Sequence, residues 1–205
     1  MPEPSKPITL FVASSNEGKV REYRALASTF GVRVALELLP NFGALPKFAE
    51  ATPTFAENAA GKALRYSGLS LGLLIADDSG LVVPALGGAP GVHSARYAGP
   101  AATDASRIQK LLGEMRDKRG EDRRARFVCV VALAEAGNVR GVFSASAEGE
   151  VLDAPRGAGG FGYDPIFFLP DLSKTFAELS REEKNQLSHR GKAFRKAVDF
   201  LLSKS

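Results

Sequence analysis

The stretch from Leu73 to Gly99, LLIADDSGLVVPALGGAPGVHSARYAG, carries the pattern on which the fold turns. Leu73-Leu74-Ile75-Ala76 is a continuous apolar run and predicts a buried strand, and Leu81-Val82-Val83 predicts another. Between them stand two adjacent carboxylates, Asp77 and Asp78, followed by Ser79 and Gly80. Carboxylates at a strand end are costly to bury without a cation. A divalent ion with hard oxygen ligands, the usual companion of phosphate chemistry, would relieve that cost. The same four residues all favour turns and also fit a solvated Asp-Asp-Ser-Gly turn.

Upstream, Ile8 to Ala13 is a second apolar run and predicts a strand. A helix opens at Gly18, with Val20, Tyr23, Ala27 and Phe30 at helical spacing. Val32, Val34, Leu36 and Leu38 alternate as in a half-buried strand. Pro40 to Pro53 reads as a loop, and Thr54 with Glu57 has the spacing of a capping box at a helix start. Downstream, Thr103 to Lys118 predicts a helix through Ile108, Leu111, Leu112 and Met115. Arg126 to Ala134 and Val139 to Ala147 predict strands joined in a hairpin at Glu135-Ala136-Gly137-Asn138. Ile166 to Leu169 predicts a short buried strand. Ser180 with Glu183 forms another capping pair, opening a helical region that runs to the C-terminus. Strands alternating with helices, plus a hairpin, predict an α/β chain with a mixed sheet.

The 205 residues are 44% hydrophobic and 24% charged, as in an ordinary globular chain able to bury a sizeable core. A formal net charge of +4 suits an anionic ligand but is too small to indicate nucleic acid. The single cysteine, Cys129, lies in the apolar run FVCVVAL, which predicts a core thiol and excludes a disulfide framework. The start MPEPSKP lacks the pattern of a signal peptide, and no apolar run approaches the roughly 20 residues that span a bilayer. A cytoplasmic location is expected.

Four further strings carry chemistry. Ser14-Ser15-Asn16-Glu17-Gly18-Lys19 is a strand-to-helix turn whose backbone N–H groups and helix dipole suit phosphate. It is not a Walker A loop, because Ala13 and Val20 stand where that motif needs glycine and a hydroxyl residue. It reads equally as Asn16 capping a helix beside a surface lysine. In TFAENAAGKA, Thr54 to Ala63, Glu57 has a mainly structural capping role, and Lys62 either reaches a phosphate or is solvated. Gly159 to Pro165, GGFGYDP, allows close backbone approach and offers Phe161 and Tyr163 as faces for a base, with core packing as the alternative for the rings. Lys184 and Ser188-His189-Arg190 gather donors that suit a base's acceptor edge or a phosphate. Alone, they would also fit a solvated helix face.

In order and content these strings resemble, over nearly the whole chain, the inosine triphosphate pyrophosphatase family. The residues that carry the resemblance are SSNEGK, TFAENAAGKA, ADDSGL with GGAPGVHSARYAG, GFGYDPIF, and AELSREEKNQLSHRGKA. Ser15 stands where the family often has glycine, a mild departure. The resemblance implies Mg²⁺-dependent hydrolysis of dITP, ITP and XTP to the nucleoside monophosphate and pyrophosphate, removing them from the nucleotide pool. It implies one domain over residues 1–205: a long mixed β-sheet with flanking helices forming two lobes, a nucleotide groove between them, usually as a homodimer. Ser14, Ser15, Asn16, Glu17, Gly18 and Lys19 would hold the triphosphate, assisted by Lys62. Asp78 would bind the metal and act as the general base or orient the attacking water, with Glu50 as the second metal carboxylate. Ser79 would contact the substrate. Phe161, Gly162, Tyr163 and Asp164 would cradle the base, while Lys184, His189 and Arg190 read its 6-oxo edge. No nucleic-acid or membrane partner is expected. A pyrophosphatase of the Maf type and a nucleotide-binding module without turnover are the competing readings, and a binder would not need the Asp78–Glu50 pair.

Overall fold

The computed structural model describes residues 7–70 and 72–203. Strand β1 (Ile8–Val12) leads through helix α1 (Glu17–Ser28) into strand β2 (Val34–Leu38). Helix α2 (Phe55–Ser67) precedes strand β3 (Leu74–Val82), and helix α3 (Asp104–Glu114) precedes the long strands β4 (Arg124–Glu135) and β5 (Asn138–Val151). Short strands β6 (Phe167–Leu169) and β7 (Lys174–Thr175) follow, then helices α4 (Arg181–Leu187) and α5 (His189–Leu202). Hydrogen bonding orders one seven-stranded sheet as β2-β1-β3-β4-β5-β6-β7. β1 runs parallel to β2 and β3, whereas β6 runs antiparallel to β5 and β7. The sheet is mixed and the class α/β, as the sequence predicts.

The chain divides into two compact units. The first comprises the described residues up to Asp78, Val130–Ser144 and those from Gly191 onward; the second comprises Ser79–Cys129 and Ala145–Arg190. In the first, α1 buries Val20, Tyr23, Leu26 and Ala27 at helical spacing, and the Tyr23 ring meets Phe194 at 5.4 Å between centroids. In the second, Leu81, Leu111, Met115, Phe127, Phe167 and Phe176 belong to one buried cluster. The two-residue turn Ala136-Gly137 joining β4 to β5 has positive φ at both positions, the geometry favoured in tight hairpins. Cys129 is buried in β4.

Several boundaries differ from the sequence expectations. The Asp-Asp-Ser-Gly segment is not a loop between two strands: it lies inside the continuous strand β3, because both carboxylates have partners that let the backbone stay extended. The strand expected from Val32 begins at Val34, after a 3₁₀ turn over Gly31–Arg33. α3 ends at Glu114, short of the expected Lys118. The final helical region is two helices, because Ser188 adopts an extended backbone (ψ 152°) that cannot continue α4. The capping pair Ser180–Glu183 is present with both reciprocal bonds. At α2, Thr54 accepts from the Glu57 N–H, but its own hydroxyl, not its backbone N–H, meets the Glu57 carboxylate.

Candidate active site

In the first unit, β1 ends at a turn in which Ser14 Oγ accepts from Asn16 N–H at 3.2 Å, and Asn16 Oδ1 accepts from Lys19 N–H at 3.0 Å. Asn16 is therefore the N-cap of α1, and Ser15, Asn16 and Glu17 at this helix start are exposed. A cavity of about 750 Å³ is lined by Ser14, Ser15, Glu17, Arg21, Arg24 and Phe42, among others. Lys19 is not a surface residue. Its ammonium lies 2.9 Å from Asp77 Oδ2, and the Asp77 side chain is only 2% exposed.

Helix α2 presents a polar stripe at i, i+4 and i+8, one face of the helix. Asn58 Nδ2 donates to Asp78 Oδ2 at 2.9 Å. Lys62 Nζ donates to the Asp77 carbonyl at 2.9 Å and is ion-paired with Glu50. The Tyr66 hydroxyl donates to the Pro46 carbonyl at 2.8 Å and accepts from Phe48 N–H at 2.9 Å. The stripe thus tethers the segment bearing Glu50 to the helix and reaches the acidic pair of β3. Glu57 is exposed on another face, at its capping position. Asn58 and Tyr66 were absent from the sequence expectations; the four-residue spacing Asn58–Lys62–Tyr66 is the signal that would have found them.

Asp78 is 4% exposed. Burial is the largest influence on its pKa, raising it from 3.8 to about 6. The charge of Glu50 adds to that rise, while Lys19, the Asn58 hydrogen bond and Lys62 oppose it. Asp77, Asp78 and Glu50 stand here among the ammoniums of Lys19 and Lys62. The donors are hard oxygens and Asp78 and Glu50 repel each other, so a small divalent cation fits the pair. Among the described residues no three Asp, Glu, His or Cys side chains converge as a ready-made metal cage. Such a cation would need further oxygens from water or a phosphate, as Mg²⁺ commonly does.

In the second unit, Asp164 Oδ2 accepts from Phe161 N–H at 2.8 Å and from Lys184 Nζ at 2.5 Å, with both charged side chains largely buried. The half-buried Phe161 ring lies under two cations, Lys184 Nζ at 5.3 Å and the Arg190 guanidinium at 5.5 Å. Arg190 also donates to Ser79 Oγ at 2.8 Å. His189 stacks on Phe127, with centroids 4.6 Å apart and planes 7° from parallel. Gly162 N–H donates to Asp104 Oδ2 at 2.6 Å, anchoring the glycine-rich turn to the start of α3. Ser79, Phe161, Gly162, Asp164, Lys184, His189 and Arg190 therefore form one neighbourhood. Tyr163 does not present a face to a ligand as the sequence suggested. It is 3% exposed, packs in the core, and its hydroxyl donates to the Ser94 carbonyl at 3.1 Å. The apolar company of the ring decides this, since burying it gains more than an exposed face would.

The first unit thus carries a strand-to-helix turn beside a half-buried lysine and a pair of acids on β3, and the second an aromatic ring under two cations, which defines the class as an α/β protein with charged clusters in each unit. The chain belongs to the Ham1 family, whose model matches residues 10–200. A dITP/XTP pyrophosphatase of Geobacillus kaustophilus is 52% identical over 187 residues, which cover 91% of each chain. The HAM1 protein of Coxiella burnetii has a structure similar to this one, with TM-score 0.83 and 40% identity over 97% of this chain and 100% of that one. The Staphylococcus aureus Ham1 protein gives 0.82 and 38% over 96% and 100%.

Proposed function

We propose that this chain is a nucleoside triphosphate pyrophosphatase that hydrolyses dITP, ITP and XTP to the nucleoside monophosphate and pyrophosphate, clearing deaminated purines from the nucleotide pool. The observation that carries the reading is the buried Asp78 carboxylate set against Glu50 and held among Lys19, Lys62 and Asn58. The 52% identity to a dITP/XTP pyrophosphatase supports the substrate class.

Ser14 to Lys19 take the triphosphate through first-turn N–H groups and the positive end of α1. Lys19 and Lys62 supply charge to the leaving pyrophosphate. Asp78 and Glu50 would hold Mg²⁺, which would neutralise phosphate charge and acidify water. With a pKa of about 6 in the metal-free chain, Asp78 is ionised at neutral pH and so able to take a cation; there it would orient an in-line water attacking between the α- and β-phosphates or act as its general base. Phe161 supplies the platform for the base, and Asp164, through Phe161 N–H and Lys184, holds that platform in place. Arg190, His189 and Lys184 present donors. Hypoxanthine and xanthine offer a 6-oxo acceptor to them, whereas adenine offers a 6-amino donor.

The two units are read as the lobes of one domain, working as a homodimer in the cytoplasm. No helix among the described residues is long and apolar enough to cross a membrane. Pyrophosphate release measured with Mg²⁺ across dITP, ITP, XTP, dATP, dGTP and methylated or pyrimidine nucleotides tests the reading. Preference for the deaminated purines supports it; preference for modified pyrimidines, or binding without release, overturns it. Sedimentation of the purified protein checks the dimer.

A further inference from the structure

Asn58 is fully buried in the first turn of α2, where an amide is expensive unless every polar atom is matched. It is matched by both backbone groups of one residue. Oδ1 accepts from Thr52 N–H at 3.2 Å, and Nδ2 donates to Thr52 C=O at 3.2 Å. The Thr52 hydroxyl adds a donor to Oδ1 at 2.7 Å. A backbone N–H cannot accept and a carbonyl cannot donate, so this clamp permits only one orientation of the amide. The second Nδ2 hydrogen is thereby aimed at Asp78 Oδ2, 2.9 Å away.

We infer that Asn58 is a positioning residue for hydrolysis, joining the segment that carries Glu50 to the Asp78 carboxylate so that both acids are held in one arrangement. The inference rests on the roles proposed above for Asp78 and Glu50. Thr52 lies two residues beyond Glu50 in the chain, so the clamp fixes the backbone next to one acid while its amide fixes the rotation of the other. Residues that orient a metal-binding carboxylate in this way commonly change metal affinity or activity about 10–100-fold when removed. The other contacts of the stripe do different work, since Lys62 supplies charge and Tyr66 fastens the segment further back, at Pro46 and Phe48.

The test compares wild type, Asn58→Ala and Thr52→Val. Mg²⁺ affinity of the nucleotide-free protein is measured by calorimetry, kcat and KM for dITP by pyrophosphate release, and folding by thermal melt. Asn58→Ala is expected to lose about 10–100-fold in kcat and to bind Mg²⁺ more weakly, with KM for dITP changed less than about threefold. Thr52→Val keeps the backbone clamp and removes one donor, so it should show the same pattern at a few-fold size. If Asn58→Ala does not fold, Thr52→Val decides alone, by weaker Mg²⁺ binding or its absence. A lower melting temperature with unchanged kcat and Mg²⁺ affinity would reduce Asn58 to a packing residue and overturn the inference, as would a rise confined to KM. Wild type that binds Mg²⁺ but does not hydrolyse dITP would defeat the proposed function instead, and the calorimetric comparison would still report on Asn58.

Discussion

Asp78 is a side chain whose burial beside another carboxylate is costly to the fold. Its folded pKa, about 6, lies above the ordinary 3.8, mainly through burial and then through Glu50. Its contribution to stability is therefore fully present below pH 3.8 and is lost as the pH rises through about 6. At pH 8 in the absence of metal the difference amounts to roughly 3 kcal/mol of destabilisation. Asp78→Asn retains an oxygen that can accept from Asn58 and removes the charge. The variant should melt several degrees higher than wild type at pH 8 in EDTA, and the gap should close towards pH 4. On the proposed roles, the same substitution should lower turnover at least ~10²-fold, since it would remove both a metal ligand and the group that acts on the water. A variant that melts lower than wild type at pH 8, or keeps a tenth of the turnover, would contradict this account. Arg190 makes the complementary case for selectivity. It is 2% exposed, lies over Phe161 and donates to Ser79, so its guanidinium is held rigidly. Arg190→Ala should reduce kcat/KM for ITP far more than for ATP, narrowing their ratio by ~10-fold or more. Equal losses on both nucleotides, with the protein still folded, would make Arg190 a phosphate contact instead.

At the scale of elements, the signals that sequence carries best are local. Asn16 capping α1, the Ser180–Glu183 box and the Ala136-Gly137 hairpin were legible because their partners lie within a few residues. β3 was misread because Asp-Asp-Ser-Gly is turn-forming on local grounds, while the groups that keep it extended are distant. Asn58 is 20 residues from Asp78, Lys62 is 15 from Asp77, and Arg190 is 111 from Ser79. The extended backbone of Ser188 and the inward turn of Tyr163 depend in the same way on packing that no short window contains. Within β3, Gly80 shows how tightly the strand is enclosed. A Cβ there would collide with the Gly91 carbonyl oxygen and with Ser94 Oγ. That hydroxyl is already committed, accepting from Leu81 N–H at 2.9 Å and donating to Gly91 C=O at 2.7 Å. Gly80→Ala should therefore cost about 1–3 kcal/mol by overpacking. A melting temperature within a degree of wild type would show that the turn beside β3 yields easily.

For the whole molecule, the proposed chemistry predicts how stability responds to ligands. In the proposed site Asp78 and Glu50 repel each other, so Mg²⁺ and a triphosphate together should be bound by the folded chain far better than by the unfolded one. Binding of that kind adds about 2.7 kcal/mol at a ligand concentration 100 times Kd. For a chain of 205 residues this corresponds to a rise in melting temperature of roughly 5–10 °C. The experiment uses non-hydrolysable α,β-imido analogues of inosine and adenosine triphosphates, each with Mg²⁺ and with EDTA. The inosine analogue with Mg²⁺ should give the largest rise and the adenosine analogue a smaller one, because donors such as Arg190 meet a 6-amino donor instead of a 6-oxo acceptor. EDTA should remove most of either rise, because Asp78 and Glu50 would then face the triphosphate with no cation between like charges. Equal shifts with and without EDTA would mean that the lysines alone hold the phosphates, and the metal role of the two acids would have to be abandoned. Equal shifts for the two bases would place discrimination in the chemical step instead of in binding, since an enzyme can select through its transition state while binding both ground states alike.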